Sequence, residues 1–219
     1  MNTPVARFAT VILDADSTLS SIEGIDWLAA QRGPSVELEV QQSTDAAMRG
    51  EITLESVYGL RLQKVQPSQR DLLALGDAYC ATVAPDAARV LEAGRAAGVR
   101  WIIVSGGLRP ALLPLAALLG VPVHDVHGVE VAIAPNGTYA GFDETSPLTR
   151  QGGKPMLVRS LGALAGPTLA VGDGQTDAEL RDVVDAFWAF TGFVARPSVV
   201  QRADRVITSF RELGDALGL

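Results

Sequence analysis

Two aspartates with one residue between them follow the first apolar segment of this chain. Asp14 and Asp16 come directly after residues 8–13, and a third aspartate, Asp173, follows the apolar residues 168–171. Alternate residues of an extended strand point to the same side, so Asp14 and Asp16 can face one pocket that Asp173 completes. Several carboxylates gathered without a cation would repel one another strongly. The pattern therefore predicts a hard dication, and Mg²⁺ fits best because it combines one or two carboxylates with waters and substrate phosphate oxygens.

A hydroxyl beside two glycines and a lysine beside two glycines are suited to bind a phosphate group. Ser105 and the two glycines after it follow the apolar residues 99–104, and Pro110 marks the start of a helix. Backbone N–H groups and the positive end of a helix dipole favour an anion, although the same residues are also typical of a simple tight turn. Lys154 read alone is a surface charge; beside a negative metal site it becomes the counter-charge for a nucleophile and a phosphate.

The three apolar runs before these groups predict the elements that hold them together. Each run has the length of a strand and is rich in β-branched residues, as expected of strands buried on both faces. Segments with helical spacing lie between them, such as residues 87–97 and 111–119, with Gly98 and Gly120 where helices should end. This alternation predicts an α/β fold with a Rossmann-like, three-layer α/β/α core and a mostly parallel sheet. Ligands bind beyond the carboxyl ends of such strands, so one site collects all the polar groups.

The distance between the first two predicted strands indicates an insertion. Residues 20–85 contain no convincing strand but several amphipathic helical stretches. We interpret them as a helical cap, so that residues 1–19 and 86–219 form the catalytic core. Further along, Asn136-Gly137 lies between two alternating segments and predicts a β-hairpin.

The composition excludes several classes of protein. The 219 residues are 47% hydrophobic and 20% charged, which is far from the signature of a disordered chain. A formal net charge of −7 argues against a nucleic-acid-binding surface, which needs clustered Lys and Arg. No signal-peptide pattern and no long apolar stretch is present, so we expect a cytoplasmic protein without a membrane span. We expect its partner to be a small molecule.

The ordered polar groups resemble the motifs of a known family. The four motifs of the haloacid dehalogenase superfamily appear in order as residues 14–19, Ser105-Gly106-Gly107, Lys154 and residues 172–177. Within that superfamily, the chain resembles the phosphoserine phosphatases of the animal and plant type, through residues 23–26, 47–50 and 140–145. The resemblance covers nearly the whole chain.

The resemblance implies an Mg²⁺-dependent reaction through an aspartyl-phosphate intermediate. Asp14 would attack phosphorus, and Asp16 would protonate the leaving serine oxygen and then take a proton from the attacking water. Ser105, the Gly106 amide and Lys154 would stabilise the phosphoryl oxygens. The implied metal ligands are Asp14, the backbone carbonyl of Asp16, Asp173 and Asp177, and the implied substrate-binding residues are Glu23, Met48, Arg61, Ser105, Gly106, Gly107, Lys154 and Thr176.

Glu23 and Arg61 carry the implied choice of substrate. In the family, a glutamate after the first motif faces the substrate ammonium, and a cap arginine pairs with the substrate carboxylate, which a planar guanidinium can bind bidentately. Read without the family, both residues are ordinary exposed helix charges. Arg49 stands where the animal-type enzymes usually carry glycine, which allows an extra cation at the border of the substrate pocket.

Other functions stay open at this point. A relative with the same chemistry could act on phosphohomoserine, phosphoethanolamine or a sugar phosphate. A signalling receiver domain also clusters aspartates around Mg²⁺, but receivers are shorter and lack a helical insertion. A binding-only descendant is disfavoured because every motif residue with a chemical role is present. A homodimer is compatible with each of these functions.

Overall fold

A central parallel sheet organises the fold. The computed structural model describes residues 8–48 and 51–219. The strands of this part are β1 (Thr10–Leu13), β2 (Arg100–Leu108), β3 (Val126–Val129), β4 (Val131–Ile133), β5 (Tyr139–Phe142), β6 (Thr168–Gly172), β7 (Ala186–Phe190) and β8 (Arg205–Ile207). Six of them form one sheet in the order β3-β2-β1-β6-β7-β8, and every pair in it is parallel. The central strands β1 and β6 are buried along their whole length, so the predicted sheet is confirmed.

Helices connect and flank these strands. They are α1 (Gly24–Ala30), α2 (Pro34–Met48), α3 (Leu54–Val65), α4 (Gln69–Ala81), α5 (Ala87–Ala96), α6 (Arg109–Leu119), α7 (Gly153–Ser160), α8 (Gln175–Ala178), α9 (Pro197–Val200) and α10 (Phe210–Leu217). Gly98 and Gly120 follow α5 and α6 with φ of +87° and +69°, the left-handed conformation expected of residues that end helices. Within the described ranges, no helix is long and apolar enough to cross a membrane. The α/β class predicted from the sequence is confirmed.

The strand before the Ser-Gly-Gly motif is longer than predicted. The sequence predicted a strand over residues 99–104, whereas β2 begins at Arg100 and continues to Leu108. The register of β2 against β3 shifts between Val104 and Leu108, an irregularity that glycines permit because they have no side chain to place. A simple tight turn, the alternative that the sequence left open, does not form here; the motif lies in an irregular strand end that leads directly into α6.

The chain between β1 and α5 contains α1 to α4, here named the cap, in agreement with the predicted helical insertion. Its two ends lie side by side. Ser20 forms an antiparallel bridge with Val83, and the Ser21 amide donates to the Thr82 carbonyl at 3.0 Å. The hydroxyls of Ser20 and Thr82 are 2.7 Å apart. The boundary at residues 20–85 stays a prediction, which this pairing supports.

The hairpin contacts two helices of the cap. β4 and β5 pair antiparallel, close to the predicted segments. Gly137 in the turn has φ of +84°, which favours glycine, and its carbonyl accepts from the Gln69 amide at the start of α4 at 2.9 Å. The ring of Phe142 in β5 lies 5.5 Å from the ring of Tyr58 in α3. The hairpin therefore supports the cap from one side.

A glycine allows α5 to pack closely against the sheet. Trp101 of β2 is buried, and its indole Nε1 donates to the Leu91 carbonyl of α5 at 2.9 Å. A Cβ on Gly94 would lie 2.3 Å from Trp101 Cζ2. This close approach explains why a glycine, which weakens a helix interior, occupies position 94.

We predict that Gly94→Ala lowers the free energy of unfolding by about 1–3 kcal/mol, because the added methyl overpacks Trp101. Gly59→Ala in α3 is the matched control, since its Cβ would meet Phe142 at an ordinary distance of 3.6 Å. For Gly59→Ala we expect the free energy of unfolding to rise by about 0.5–1 kcal/mol, because alanine has a higher helix propensity than glycine. Urea unfolding measures both effects, and equal changes in the two variants would contradict the predicted clash.

Candidate active site

A buried lysine lies between two aspartates at the carboxyl end of the sheet. Asp14 follows β1, Asp177 lies in α8 after β6, and Lys154 begins α7 together with Gly153. Lys154 Nζ donates to Asp14 Oδ1 at 2.7 Å and to Asp177 Oδ1 at 2.6 Å, and all three side chains are buried. Burial alone would lower the pKa of Lys154, but the two carboxylates raise it above its ordinary value. Lys154 is thus a fixed positive charge, and the surface-charge interpretation is wrong.

Three aspartates form a cluster that could hold a metal ion. Asp14, Asp173 and Asp177 each bring a carboxylate oxygen to within 4.8 Å of the other two. Asp173 accepts from Thr18 Oγ1 at 3.1 Å, and Asp177 Oδ2 accepts from the Gly174 amide at 2.9 Å. Burial, and then the nearby Asp14, raise the pKa of Asp177 to about 7, as expected when carboxylates are brought together. An all-oxygen donor set fits a hard dication such as Mg²⁺.

Asp16 is oriented by a backbone amide and by a tyrosine of the cap. Its Oδ1 accepts from the Gly24 amide at 2.9 Å and from the Tyr79 hydroxyl of α4 at 2.6 Å. Because both donors occupy Oδ1, the proton of the acid form belongs on Oδ2. Burial, followed by the neighbouring Glu23 and Asp14, raises the pKa of Asp16 to about 8 and so favours the protonated acid at neutral pH.

The Ser-Gly-Gly motif presents a buried hydroxyl at the end of β2. Ser105 Oγ accepts from the Gly107 amide at 3.0 Å, which leaves the hydroxyl hydrogen to donate to a bound anion. The Gly106 carbonyl accepts from the Tyr58 hydroxyl of α3 at 2.7 Å. A second cap tyrosine therefore contacts the core beside the predicted phosphate-binding residues.

Arg61 of α3 is a buried side chain with an unused donor. It is only 6% exposed, so the exposed-charge interpretation is wrong for this residue. Its Nη1 donates to Thr44 Oγ1 at 2.7 Å, and that hydroxyl donates in turn to Asp26 Oδ1 at 2.6 Å. Among the described residues, nothing accepts a hydrogen bond from the buried Arg61 Nε. A buried donor left without an acceptor costs about 1–3 kcal/mol unless a ligand supplies one.

Glu23 lies before α1 and is half-buried. Its Oε1 accepts from Ser17 Oγ at 2.8 Å, and burial raises the pKa of Glu23 above its ordinary value. Arg196, before α9, has a guanidinium nitrogen 3.5 Å from Glu23 Oε1 and also pairs with the Asp173 carboxylate. Arg196 was not predicted, because a single arginine outside any motif gives no local signal of contacts with residues so distant in the sequence.

One cavity collects most of the predicted site residues. It is lined by Asp14, Asp16, Glu23, Arg61, Ser105, Gly106, Lys154, Asp173, Thr176 and Asp177. Gly107 is not one of the lining residues; its amide donates to Ser105 Oγ, and a Cβ at this position would lie 3.2 Å from Asp16 Oδ2. Met48 ends α2, but its side chain lies outside the described part of the structure, as does the whole of Arg49. The lining residues that were not predicted are Ile25, Asp26, Tyr58, Leu148, Arg150 and Gly174.

The two cap tyrosines were also missed as site residues. Tyr58 and Tyr79 are buried on amphipathic helices, where their sequence positions look like those of core aromatics. The only available signal was general: a buried tyrosine hydroxyl usually finds a hydrogen-bond partner, and the partner itself depends on how the helices are arranged.

Comparison with known proteins agrees with this geometry. The family model of haloacid dehalogenase-like hydrolases matches residues 11–181. Phosphoserine phosphatase from Bos taurus is 34% identical over 209 residues, which cover 94% of this chain and 92% of the relative. Chloroplastic phosphoserine phosphatase from Arabidopsis thaliana is 31% identical over 211 residues, which cover 94% of this chain and 71% of the relative.

A solved structure has the same fold. It is described as a phospho-aspartyl intermediate analogue of phosphoserine phosphatase and is 23% identical to this chain, with a TM-score of 0.78 over 95% of this chain and 98% of that chain. Together with the family match and the curated relatives, the conclusion is that this chain belongs to the haloacid dehalogenase-like hydrolases, in the family of the phosphoserine phosphatases.

Proposed function

We propose that this protein is a magnesium-dependent phosphatase that hydrolyses O-phospho-L-serine to L-serine and inorganic phosphate. The observation that carries the choice of substrate is Arg61, whose buried Nε has no partner among the described residues and whose side chain lines the same cavity as Asp14 and Lys154. A substrate carboxylate would supply the missing acceptor. Phosphoethanolamine and sugar phosphates have no carboxylate and would leave this donor unpaired.

Glu23 is the proposed partner of the substrate ammonium group. A substrate ammonium needs a negative partner, and Glu23 lines the same cavity as Arg61. Burial opposes the charged form of Glu23, and an ammonium bound beside it would favour that form again. A zwitterionic amino acid thus matches both ends of the cavity.

The proposed reaction begins at Asp14. One Asp14 oxygen forms a bond to phosphorus while the bond from phosphorus to the serine oxygen breaks, and Asp16 gives its proton to that oxygen. A water oxygen then forms a bond to phosphorus while the bond from phosphorus to the Asp14 oxygen breaks, and Asp16, now a carboxylate, takes a proton from that water. The two donors on Asp16 Oδ1 support this role because they leave Oδ2 to carry the proton.

Fixed positive charge and hydrogen-bond donors surround the proposed phosphate position. Lys154, held by its two aspartates, and the Ser105 hydroxyl would stabilise charge on the phosphoryl oxygens, together with the Gly106 amide. Asp14, the Asp16 carbonyl and Asp173 would hold Mg²⁺, supported by Asp177. The chemistry that Mg²⁺ supplies when bound is neutralisation of charge and orientation of the phosphoryl group.

We predict that Asp14→Asn lowers kcat for phosphoserine by at least about 10⁴-fold, because the amide is a poor nucleophile and cannot form the covalent intermediate. Release of inorganic phosphate measures kcat, and acid-quenched protein incubated with labelled substrate measures the phosphoenzyme. The exposed Asp182→Asn is the matched control with the same change of charge. Substantial activity in Asp14→Asn would overturn the covalent mechanism.

We predict that Arg61→Ala lowers kcat/KM for phosphoserine by about 10- to 100-fold, since a charge-assisted hydrogen bond to the substrate carboxylate is lost. For phosphoethanolamine, which has no carboxylate, kcat/KM should change less than about threefold. The exposed cap residue Arg70 offers the control Arg70→Ala. An equal loss on both substrates would show that Arg61 does not read the carboxylate.

We predict that Mg²⁺ raises the melting temperature of the wild-type protein, because a ligand that binds only the folded state adds about 2.7 kcal/mol at 100 times its Kd. Asp173→Asn should abolish most of this shift, whereas Asp182→Asn should keep it. Calorimetry with and without Mg²⁺ measures the shift, and chelation followed by resupply of Mg²⁺ tests the activity. The same shift in both variants would exclude Asp173 as a ligand.

Hydrolysis of phosphoserine yields serine, so the proposed activity belongs to serine biosynthesis. The cytoplasmic location and a homodimeric state stay predictions from the sequence. The receiver-domain alternative finds no support in the site, since Asp16 has its own set of donors and the cap lines the cavity with Arg61 and Tyr58.

A further inference from the structure

Arg150 is a cation at the catalytic cavity that belongs to none of the motifs discussed above. It lies in the loop before α7 and lines the cavity. It also lines an outer groove, which contains Glu55 and Gly59 of α3, Phe142 of β5 and a second acidic residue, Glu144. Of the residues in the described ranges, Tyr58 and Arg150 border both spaces. Arg150 therefore stands where the catalytic cavity meets the groove on the surface.

The charge of the cavity makes the position of Arg150 significant. Carboxyl groups dominate the lining, which contains Asp14, Asp16, Glu23, Asp26, Asp173 and Asp177. The whole chain also has a formal net charge of −7. Bound Mg²⁺ would offset much of the charge inside the cavity, but the negative charge of the whole chain opposes the approach of an anionic phosphate ester from solvent.

The other two lining cations are already engaged inside the cavity. Lys154 is held between two buried carboxylates, and Arg61 donates to the buried Thr44. Arg150, in contrast, is partly exposed, and no described residue accepts a hydrogen bond from its guanidinium or forms an ion pair with it. Among the lining residues that the structure describes, it is thus the cation whose charge is available to an anion arriving from solvent.

We propose that Arg150 guides the phosphorylated substrate into the catalytic cavity by way of the outer groove. This inference rests on the proposed function, because it requires an anionic substrate. Arg150 acts through long-range attraction before the substrate reaches Asp14 and does not touch the reacting phosphorus. Arg150 therefore affects kcat/KM through KM. Its effect depends on the charge of the side chain and not on its shape. The effect weakens at high salt, because salt screens the attraction.

The experiment compares Arg150→Gln, Arg150→Lys and Arg150→Glu with wild-type protein, each loaded with Mg²⁺. Arg159→Gln, an exposed residue of α7, is the control with the same change of net charge. We expect Arg150→Gln to lower kcat/KM for phosphoserine by about 3- to 10-fold at low ionic strength with kcat unchanged. Arg150→Glu should lower it further, and Arg150→Lys should stay close to wild type. At about 0.5 M salt the difference should shrink to less than about twofold.

Two results would overturn the inference. One is an Arg150→Gln variant that behaves like Arg159→Gln. The other is a loss that is equal at low and high salt and is not rescued by lysine, because such a loss indicates a contact or a structural role in place of long-range attraction. Melting temperatures of the variants identify any that fold poorly, and Arg150→Lys then supplies the comparison at constant charge.

A measurement of phosphate binding distinguishes failure of the inference about Arg150 from failure of the proposed substrate. Inorganic phosphate is titrated into the Mg²⁺-loaded protein by calorimetry, which needs no turnover. If phosphoserine is not hydrolysed but phosphate binds more weakly to Arg150→Gln at low salt, the choice of substrate fails and the inference about Arg150 stands. If phosphoserine is hydrolysed and Arg150→Gln changes neither kcat/KM nor phosphate binding, the proposed function stands and the inference fails.

Discussion

The Lys154 ammonium between Asp14 and Asp177 is the interaction on which the rest of the site depends. Asp14 and Asp177 meet there because they follow β1 and β6, which are parallel neighbours that end at the same edge of the sheet. Lys154, 140 positions after Asp14 in the sequence, reaches the same point from the start of α7. Buried carboxylates at that edge repel one another, and Lys154 offsets part of the repulsion. Loss of one member of a buried ion pair typically costs about 3–5 kcal/mol, because the remaining charge is left uncompensated. The same three residues thus link the stability of the core to the geometry of the nucleophile.

The cap contributes to this geometry as well as covering the cavity. Tyr79 of α4 donates to Asp16, and Tyr58 of α3 donates to the carbonyl of Gly106. Both hydrogen bonds cross from the cap to the catalytic edge of the sheet. Movement of α3 and α4 away from the sheet would break both bonds and remove one of the two donors to Asp16. The proton donor proposed for the reaction is therefore fully positioned only when the cap lies over the core.

The sequence predicted the part of the site that follows from strand ends. Short apolar runs identify buried strands, and parallel strands bring the residues after them to one edge, so Asp14, Ser105 and Asp173 could be grouped without coordinates. The continuation of β2 to Leu108 was missed because glycines normally suggest a turn. Contacts such as Tyr79 with Asp16 depend on how helices rotate and pack, which residue spacing alone does not specify.

The side-by-side ends of the cap have a consequence for how this architecture can change. Ser20 and Val83 are joined by an antiparallel bridge, so the core chain leaves and returns at nearly the same point. The entropy of closing a loop between two adjacent points rises only slowly with its length. A segment of different length or shape can therefore join the same two points, provided that it supplies the hydrogen bonds which Tyr79 and Tyr58 donate to Asp16 and Gly106. In evolution, one hydrolytic core can acquire new substrates by exchange of a single continuous piece of chain.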